Sequence, residues 1–215
     1  LLEQLSDGSS PYRPPLPDTT QDPERLAYIM YTSGSSGRSK GVEITQANYA
    51  FAGQAMAAAA SLTSNDRQLV VLPLFHANAQ YYSFASAIYV GASVALMATF
   101  SASRFLQQAA KYEVTAASLF AAPIRMILAR GEPVKGLKLR HCWFAQNITQ
   151  GQYDTVTKWF GCKPRQLYGM TETIPAVLTD EKENPDPSSM GFVTSGCLVD
   201  VQRPDGTSVD PDEVG

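Results

Sequence analysis

The stretch QLVVLPLFHANAQYYSFASAIYVGASVALMATFSAS, Gln68 to Ser103, contains no Asp, Glu, Lys or Arg. About 20 predominantly apolar residues suffice to cross a bilayer, so this run decides between a membrane segment and the interior of a soluble fold. Pro73, His76, Asn78, Gln80 and Gly91 break it up, and no uninterrupted span remains. Leu69–Leu72 then reads as a buried strand, Asn78–Tyr89 as a helix and Ser93–Met97 as a second buried strand.

The same rhythm continues outward. Upstream, Leu26–Tyr31 is a short apolar run bounded by turn residues and reads as a buried strand. A Ser/Thr/Gly loop covers Thr32 to Gly41, and Val42–Ile44 is a further strand. Thr45 stands where a helix N-cap belongs, ahead of an Ala-rich helix to about Ser61. Downstream, a helix over Ser103–Tyr112, capped by Ser101 or Ser103, precedes a strand at Thr115–Phe120. Pro123–Arg130 is a helix with proline in its first turn, Arg140–Phe144 a strand, Gln150–Phe160 a helix ended by Gly161, and Arg165–Tyr168 a strand. Repeated strand–helix units predict an α/β fold: a mostly parallel sheet flanked by helices on both faces. Beyond Ile174 the pattern shifts to short segments around Pro185, Pro187, Gly191 and Gly196, read as antiparallel or irregular. The expected organisation is an extended linker over 1–24, an α/β core over 25–180, and the start of a smaller β-rich subdomain over 181–215. The chain opens without Met and stops in a polar, turn-rich stretch, so it reads as a central piece of a longer protein.

Composition narrows the function. Lys and Arg number 17 against 20 Asp and Glu, for a net charge of −3, and 44% of residues are hydrophobic. That supports a sizeable core and leaves no basic footprint for nucleic acid. The three cysteines form no C-x-x-C pair, and two histidines are too few for a zinc site. Idle thiols and the absence of a basic leader point to a cytoplasmic protein without a membrane span. The oligomeric state is not legible.

In a wound sheet, ligands gather beyond the carboxyl ends of the strands, here after Tyr31, Leu72, Phe144 and Leu167. The first of these loops, Thr32-Ser33-Gly34-Ser35-Ser36-Gly37-Arg38-Ser39-Lys40-Gly41, holds five hydroxyls, three glycines and two cations. Glycines let the backbone turn N–H groups toward an anion, and Lys40 supplies a point charge for polyphosphate. It is not a Walker A loop, because Ser39 stands where G-x-x-x-x-G-K-[ST] requires glycine. A second cluster, Tyr168-Gly169-Met170-Thr171-Glu172-Thr173, places an aromatic face, a glycine turn, a hydroxyl and a carboxylate at a strand end. Tyr168 is suited to stack on a purine, Thr171 to donate to a phosphate oxygen, and Glu172 to hold Mg²⁺. A third, Pro73-Leu74-Phe75-His76, follows a buried strand; read alone, a histidine such as His76 is more often a satisfied core residue than a functional one.

Together these motifs resemble the acyl-adenylate-forming enzymes, a family that includes acyl-CoA synthetases, peptide-synthetase adenylation domains and luciferases. Tyr31–Gly41 follows the family's Tyr-Thr-Ser-Gly-[Ser/Thr]-Thr-Gly-x-Pro-Lys-Gly loop, with Ser36 for Thr and Ser39 for Pro. The resemblance implies that Thr32, Ser33, Gly34, Ser35, Ser36, Gly37 and Lys40 embrace the ATP phosphates. It implies that Tyr168, Gly169, Met170 and Thr171 bind the nucleotide, that Glu172 carries magnesium, and that His76 gates the carboxylate pocket. Ala145-Gln146-Asn147-Ile148 lies where the family has a Gly-Gly/Ala-Pro turn beside the adenine; Gln146 and Asn147 either bond a purine edge or merely close a βα loop. This variant is most like the crotonobetaine/carnitine–CoA ligase branch. Met190-Gly191-Phe192-Val193 resembles a later Ser-x-Gly-x-x-Gly segment. The acyl pocket is expected at His76, Ala77, Tyr81, Thr173 and Ile174, and its composition suits an apolar or aromatic acid.

The implied reaction joins a carboxylic acid to AMP from ATP, then passes the acyl group to coenzyme A, or to the pantetheine of a carrier protein. Lys40, His76, Thr171 and Glu172 are the implied catalytic residues, and ATP, Mg²⁺ and coenzyme A the implied cofactors. An acyl-AMP-binding homologue that does not use ATP is the other reading, motivated by Ser39 and Ala145–Ile148. The resemblance further implies that a C-terminal domain is needed for turnover, so these 215 residues alone are expected to be inactive.

Overall fold

Seven strands form the central sheet of the computed structural model, which describes residues 22–33 and 38–214. In chain order the elements begin with β1 (Leu26–Ser33), β2 (Ser39–Thr45), α1 (Gln46–Ala59) and β3 (Arg67–Val70). A π-helix over Asn78–Ala85 runs directly into α2 (Ser86–Val90), followed by β4 (Ser93–Leu96), α3 (Phe105–Lys111), β5 (Ala116–Phe120) and α4 (Ala121–Arg130). β6 (His141–Ala145), α5 (Gln150–Phe160), β7 (Arg165–Tyr168), a 3₁₀ turn at Thr171–Thr173, β8 (Leu178–Thr179) and β9 (Phe192–Val193) complete the chain.

The sheet order is β4-β3-β5-β6-β7-β8-β9. Pairing is parallel from β4 to β7, and β8 and β9 are antiparallel. The expected α/β class is therefore observed, with the antiparallel portion at the C-terminal end. Among the described residues no helix is long and apolar enough to cross a membrane. The charge-free stretch is instead strand, helix and strand, with Leu69–Leu72 and much of the helix buried.

Side-chain alternation along the strands divides the core into two clusters. On one face, Leu69, Ala117, Leu119, Cys142 and Phe144 pack against Phe105, Ile124, Ile127, Val156 and Phe160 from α3, α4 and α5. On the other, Ala116, Trp143 and Leu167 pack against Ala52, Met56 and Ala57 of α1 and against Tyr81 and Tyr82 of the π-helix. The small residues of α1 permit close approach; a Cβ on Gly53 would stand 2.7 Å from the carbonyl oxygen of Ala85. Thr45 caps α1 as its position predicts: its Oγ1 accepts from the Asn48 N–H at 3.1 Å, and Asn48 Oδ1 accepts from the Thr45 N–H at 3.0 Å.

Three local expectations are corrected. Leu26–Tyr31 is not a buried strand of the central sheet. It belongs to an antiparallel β1–β2 hairpin with its own register, Thr32 opposite Lys40 and Ser33 opposite Ser39. A two-stranded ribbon covers one face only, so Met30 and Ile44 are buried while Leu26, Ile29 and Tyr31 are exposed. The single helix expected over Asn78–Tyr89 is a π-helix joined to a short α-helix, and Ser86 Oγ donates at the junction to the carbonyls of Tyr82 (2.8 Å) and Ser83 (3.0 Å). Neither Ser101 nor Ser103 caps α3; Arg104 occupies that position, with its Nε donating to Ser101 Oγ at 3.2 Å.

The amino ends of the central strands are fastened together. Asp66, buried ahead of β3, accepts from Arg140 Nε (2.9 Å) and Nη2 (2.7 Å), from Thr115 Oγ1 (2.7 Å) and from the Thr63 N–H (2.7 Å). Arg140 also donates to the carbonyls of Ala60 and Ser61 just past α1. One carboxylate thus ties β3, β5, β6 and the end of α1 at one edge of the sheet, and the opposite edge is left for a site.

Candidate functional site

At that opposite edge, beyond the carboxyl ends of β3, β5, β6 and β7, lies a cavity of about 500 Å³. Leu72, Pro73, His76, Ala77 and Asn78 supply its wall after β3, and Tyr82 of the π-helix continues it. Phe120 contributes from the end of β5 and Ala145 and Gln146 from the end of β6. Leu167, Gly169, Met170 and Thr171 contribute from β7 and the turn after it.

Each segment is placed by its backbone. The His76 N–H donates to the Pro73 carbonyl at 3.0 Å, and the His76 carbonyl accepts from the Gln80 N–H at 3.2 Å, so the chain turns immediately from strand to helix. Gln80 holds that turn from outside: its Nε2 donates to the Leu74 carbonyl (2.7 Å), and its Oε1 accepts from Tyr49 Oη (3.1 Å). The Met170 N–H donates to Thr173 Oγ1 at 2.8 Å, which closes the Thr171–Thr173 turn. Gln146 adopts φ 69°, the left-handed region that favours glycine. A non-glycine residue held there, at a cavity wall, is a conformation associated with binding sites.

Gly169 is required where it stands. A Cβ there would lie 2.9 Å from the Ala176 Cα, 3.0 Å from Tyr82 Oη and 3.4 Å from the Pro175 carbonyl oxygen. The turn carrying Thr171 is therefore pressed directly onto the segment behind it.

The residues singled out from the sequence divide into groups. His76, Ala77, Gln146, Gly169, Met170 and Thr171 line the one cavity. Asn147 does not; it lines a separate cleft of about 350 Å³ with Ile148, Gln150, Pro187 and Ser188, and its carbonyl accepts from Arg125 Nη2 at 2.7 Å. Tyr168 and Glu172 are exposed beside the cavity rather than in its lining. Thr173 spends its hydroxyl on the Met170 backbone, and Ile174 packs against the second core cluster.

Tyr81 is fully buried behind the wall, its Oη donating to the Thr171 carbonyl at 3.5 Å, and its neighbour Tyr82 takes the place in the lining. Consecutive helical residues point in different directions, so only one of the pair reaches the cavity. Burial pushes the Tyr81 phenol up to about 12, with the neighbouring Tyr28 hydroxyl opposing the shift and the Glu172 carboxylate adding to it.

Those neighbours connect the hairpin to the site. Tyr28 belongs to β1, and its hydroxyl stands beside that of Tyr81; Glu172 belongs to the turn after β7, and its carboxylate acts on the same phenol through its charge. Leu74, Phe75 and Gln80 also form one wall of a cleft of about 300 Å³ whose other wall is Tyr28–Tyr31. Thr32 and exposed Lys40 face each other near the end of this hairpin where the chain passes from β1 to β2. Gly34, Ser35, Ser36 and Gly37, with the Ser33 side chain, lie outside the described residues.

Sequence reasoning passed over Phe120. Phe120 had a readable signal, the carboxyl end of a strand, obscured because α4 begins at the next residue. His141, unassigned from the sequence, is structural: its ring packs edge-on at 4.4 Å against Trp143, and burial, aided by Arg165 and Arg140, pushes it down to about 3.

Comparison with known proteins shows the family and the fold. The profile of the family described as AMP-binding enzyme matches residues 2–215. A crotonobetaine/carnitine–CoA ligase of Escherichia coli O157:H7 (strain EC4115 / EHEC) is 34% identical over 171 residues, which cover 79% of this chain and 32% of the relative. The chain thus spans about a third of the length of the curated relatives it matches. O-succinylbenzoate coenzyme A synthetase from Bacillus subtilis, solved with ATP and magnesium ion, superposes with a TM-score of 0.77 at 28% identity, covering 89% of this chain and 40% of that one. The fold is shared as well with an anthranilate CoA ligase solved with anthranoyl-AMP, at a TM-score of 0.80 and 20% identity over 91% of this chain and 39% of that one.

Proposed function

Since the chain belongs to the AMP-binding enzyme family, we propose that it is the nucleotide- and acyl-binding core of an AMP-forming acyl-CoA ligase. The observation that carries this reading is the single cavity at the strand carboxyl ends that joins His76 to the Gly169–Thr171 turn. A carboxylate oxygen attacks the α-phosphorus of ATP, the bond from that phosphorus to the bridging oxygen breaks, and pyrophosphate leaves. The resulting acyl-AMP has a good leaving group, and the sulfur of coenzyme A displaces AMP as the thiol gives up its proton. Such transfers are limited by charge crowding, so positioning and electrostatic stabilisation supply most of the rate.

The roles proposed rest on the motifs and, for the described residues, on where each stands. Thr171, in the lining, donates to the α-phosphate; His76, in the facing wall, orients the acyl carboxylate. Gln146 borders the base, and Tyr168, exposed at the end of β7, offers it a ring face. Lys40 and the hydroxyls of Thr32, Ser33, Ser35 and Ser36, with Gly34 and Gly37 between them in sequence, hold the β- and γ-phosphates. Asn147 and Tyr81 support these groups from outside the cavity.

Magnesium fits this donor set. Among the described residues no group of three acidic, His or Cys side chains forms a protein cage. Magnesium held by one carboxylate, substrate phosphates and water needs none. Glu172 is the carboxylate that would hold it, and the ion would offset phosphate charge. The setting proposed for this reaction is the cytoplasm.

Calorimetry tests the reading with ATP, AMP and Mg²⁺. Both nucleotides are expected to bind. Lys40→Ala is expected to weaken ATP about tenfold, the loss of one charge-assisted contact, and to leave AMP within about twofold. An equal loss for both nucleotides removes Lys40 from the β,γ-phosphate role, and no binding of either overturns the reading.

A further inference from the structure

Among the described residues, the cavity wall offers no carboxylate, lysine or arginine to a charge on the acyl group, and His76 is the one ionisable imidazole, assigned above to the reacting carboxylate. None of its described lining residues is Asp, Glu, Lys or Arg. Gly34–Gly37, the loop outside the described residues, contains only glycine and serine. Arg125 commits its Nη2 to the Asn147 carbonyl, outside this cavity, and Glu172, exposed beside the cavity, is the carboxylate assigned above to magnesium. Leu72, Phe120, Leu167 and Tyr82 present aliphatic and aromatic surface to it. Its polar side chains, His76, Asn78, Gln146 and Thr171, include no carboxylate, lysine or arginine; Asn78 spends its Nδ2 on the Leu119 carbonyl at 3.2 Å and keeps a buried Oδ1 without a partner. Resting on the adenylate reading above, we infer that the acyl group taken here is uncharged and apolar or aromatic, carried by a monocarboxylic acid.

An acid with a second formal charge, whether a quaternary ammonium or another carboxylate, would leave water without a counter-ion, and an unpaired buried charge is strongly disfavoured. An aromatic acyl group instead meets two rings, Tyr82 and Phe120, with which edge-to-face or offset contact is favourable. The rings are the one feature that would also suit a cation, since ring faces attract ammonium groups. That makes the quaternary ammonium the stringent competitor.

The test is calorimetry of the chain with AMP and three non-hydrolysable acyl-adenylate analogues, each with a sulfamoyl linkage. One carries a benzoyl group, one a 4-(trimethylammonio)butanoyl group and one a 4-carboxybutanoyl group. The benzoyl analogue is expected to bind at least about tenfold more tightly than AMP, and both charged analogues no more tightly than AMP. AMP binding with either charged analogue equal to the benzoyl compound overturns this inference and leaves the adenylate reading standing. Failure of AMP itself to bind overturns that reading and this inference with it.

Discussion

Replacing Gly169 with valine is expected to lower AMP affinity about 100-fold while the chain stays folded. The first added carbon would stand 2.9 Å from the backbone Cα of Ala176 and 3.0 Å from Tyr82 Oη. The Tyr82 ring is buried and cannot swing away, and Ala176 is itself in the second core cluster. The strain must therefore move the Gly169–Thr173 turn outward. Overpacking of this kind costs about 1–3 kcal/mol of stability, but displacing a positioned group by about 1 Å costs about two orders of magnitude in function. Urea unfolding and calorimetry measured together separate these effects. Gly151→Ala serves as the control: nothing lies within 4 Å of its Cβ position, in the first turn of α5. That change is expected to leave AMP affinity intact and to stabilise by about 0.5–1 kcal/mol. Wild-type affinity in Gly169→Val would show that the turn does not touch nucleotide.

Asp66→Asn is expected to cost about 2–3 kcal/mol at neutral pH. Removing one member of a buried ion pair costs roughly 3–5 kcal/mol; the smaller figure applies because the Arg140 side chain is 41% exposed and its guanidinium keeps access to water. The same group sets the acid limb of the stability curve. Burial alone would raise the Asp66 carboxyl, but Arg140, the Thr115 hydroxyl and the Thr63 N–H outweigh it and hold the group well below the usual carboxylate range. The folded state therefore refuses a proton that the unfolded chain takes up at about pH 4. This contribution is complete above that pH and is lost as pH falls further.

His141 acts earlier on the same limb. Its folded value is pushed down to about 3, so the unfolded chain gains a proton at about pH 6.5 that the folded chain accepts only near 3. Stability should decline from about pH 6.5 downward in wild type. Asp66→Asn should keep that first decline and lack the steeper one below about pH 4. Urea midpoints measured across this range test both limbs, and identical curves for the two proteins would show that Asp66 is not the group responsible.

How far the sequence could be read depends on the range of the interactions involved. Gln150–Phe160 and Arg165–Tyr168 are found at their expected bounds because their signals are local. Thr149 caps α5, Gly161 closes it at φ 74°, and the following strand is short and apolar. The Leu26–Tyr31 strand was legible, its partner was not: pairing with β2 rather than with the central sheet is a long-range choice, and Ile29 and Tyr31 are left exposed by it. At the site, contiguous motifs fixed His76 and Gly169–Thr171 in the lining, because each is a turn directly after a strand. Which of Tyr81 and Tyr82 faces the cavity depends on the helical phase of Asn78–Ala85, which a π-helix alters and no local residue announces. Asn147 is turned from the cavity by the left-handed backbone of Gln146 just before it, a conformation usually reserved for glycine.

A crystal structure of the chain with AMP tests the central claim most directly. The predicted result places the base between Gln146 and Tyr168 and the phosphate within hydrogen-bond distance of Thr171 Oγ1, facing His76 across the cavity at the ends of β3, β5, β6 and β7. AMP seated in the cleft of Asn147, Pro187 and Ser188, or bound with Thr171 and His76 both free of it, would contradict the account.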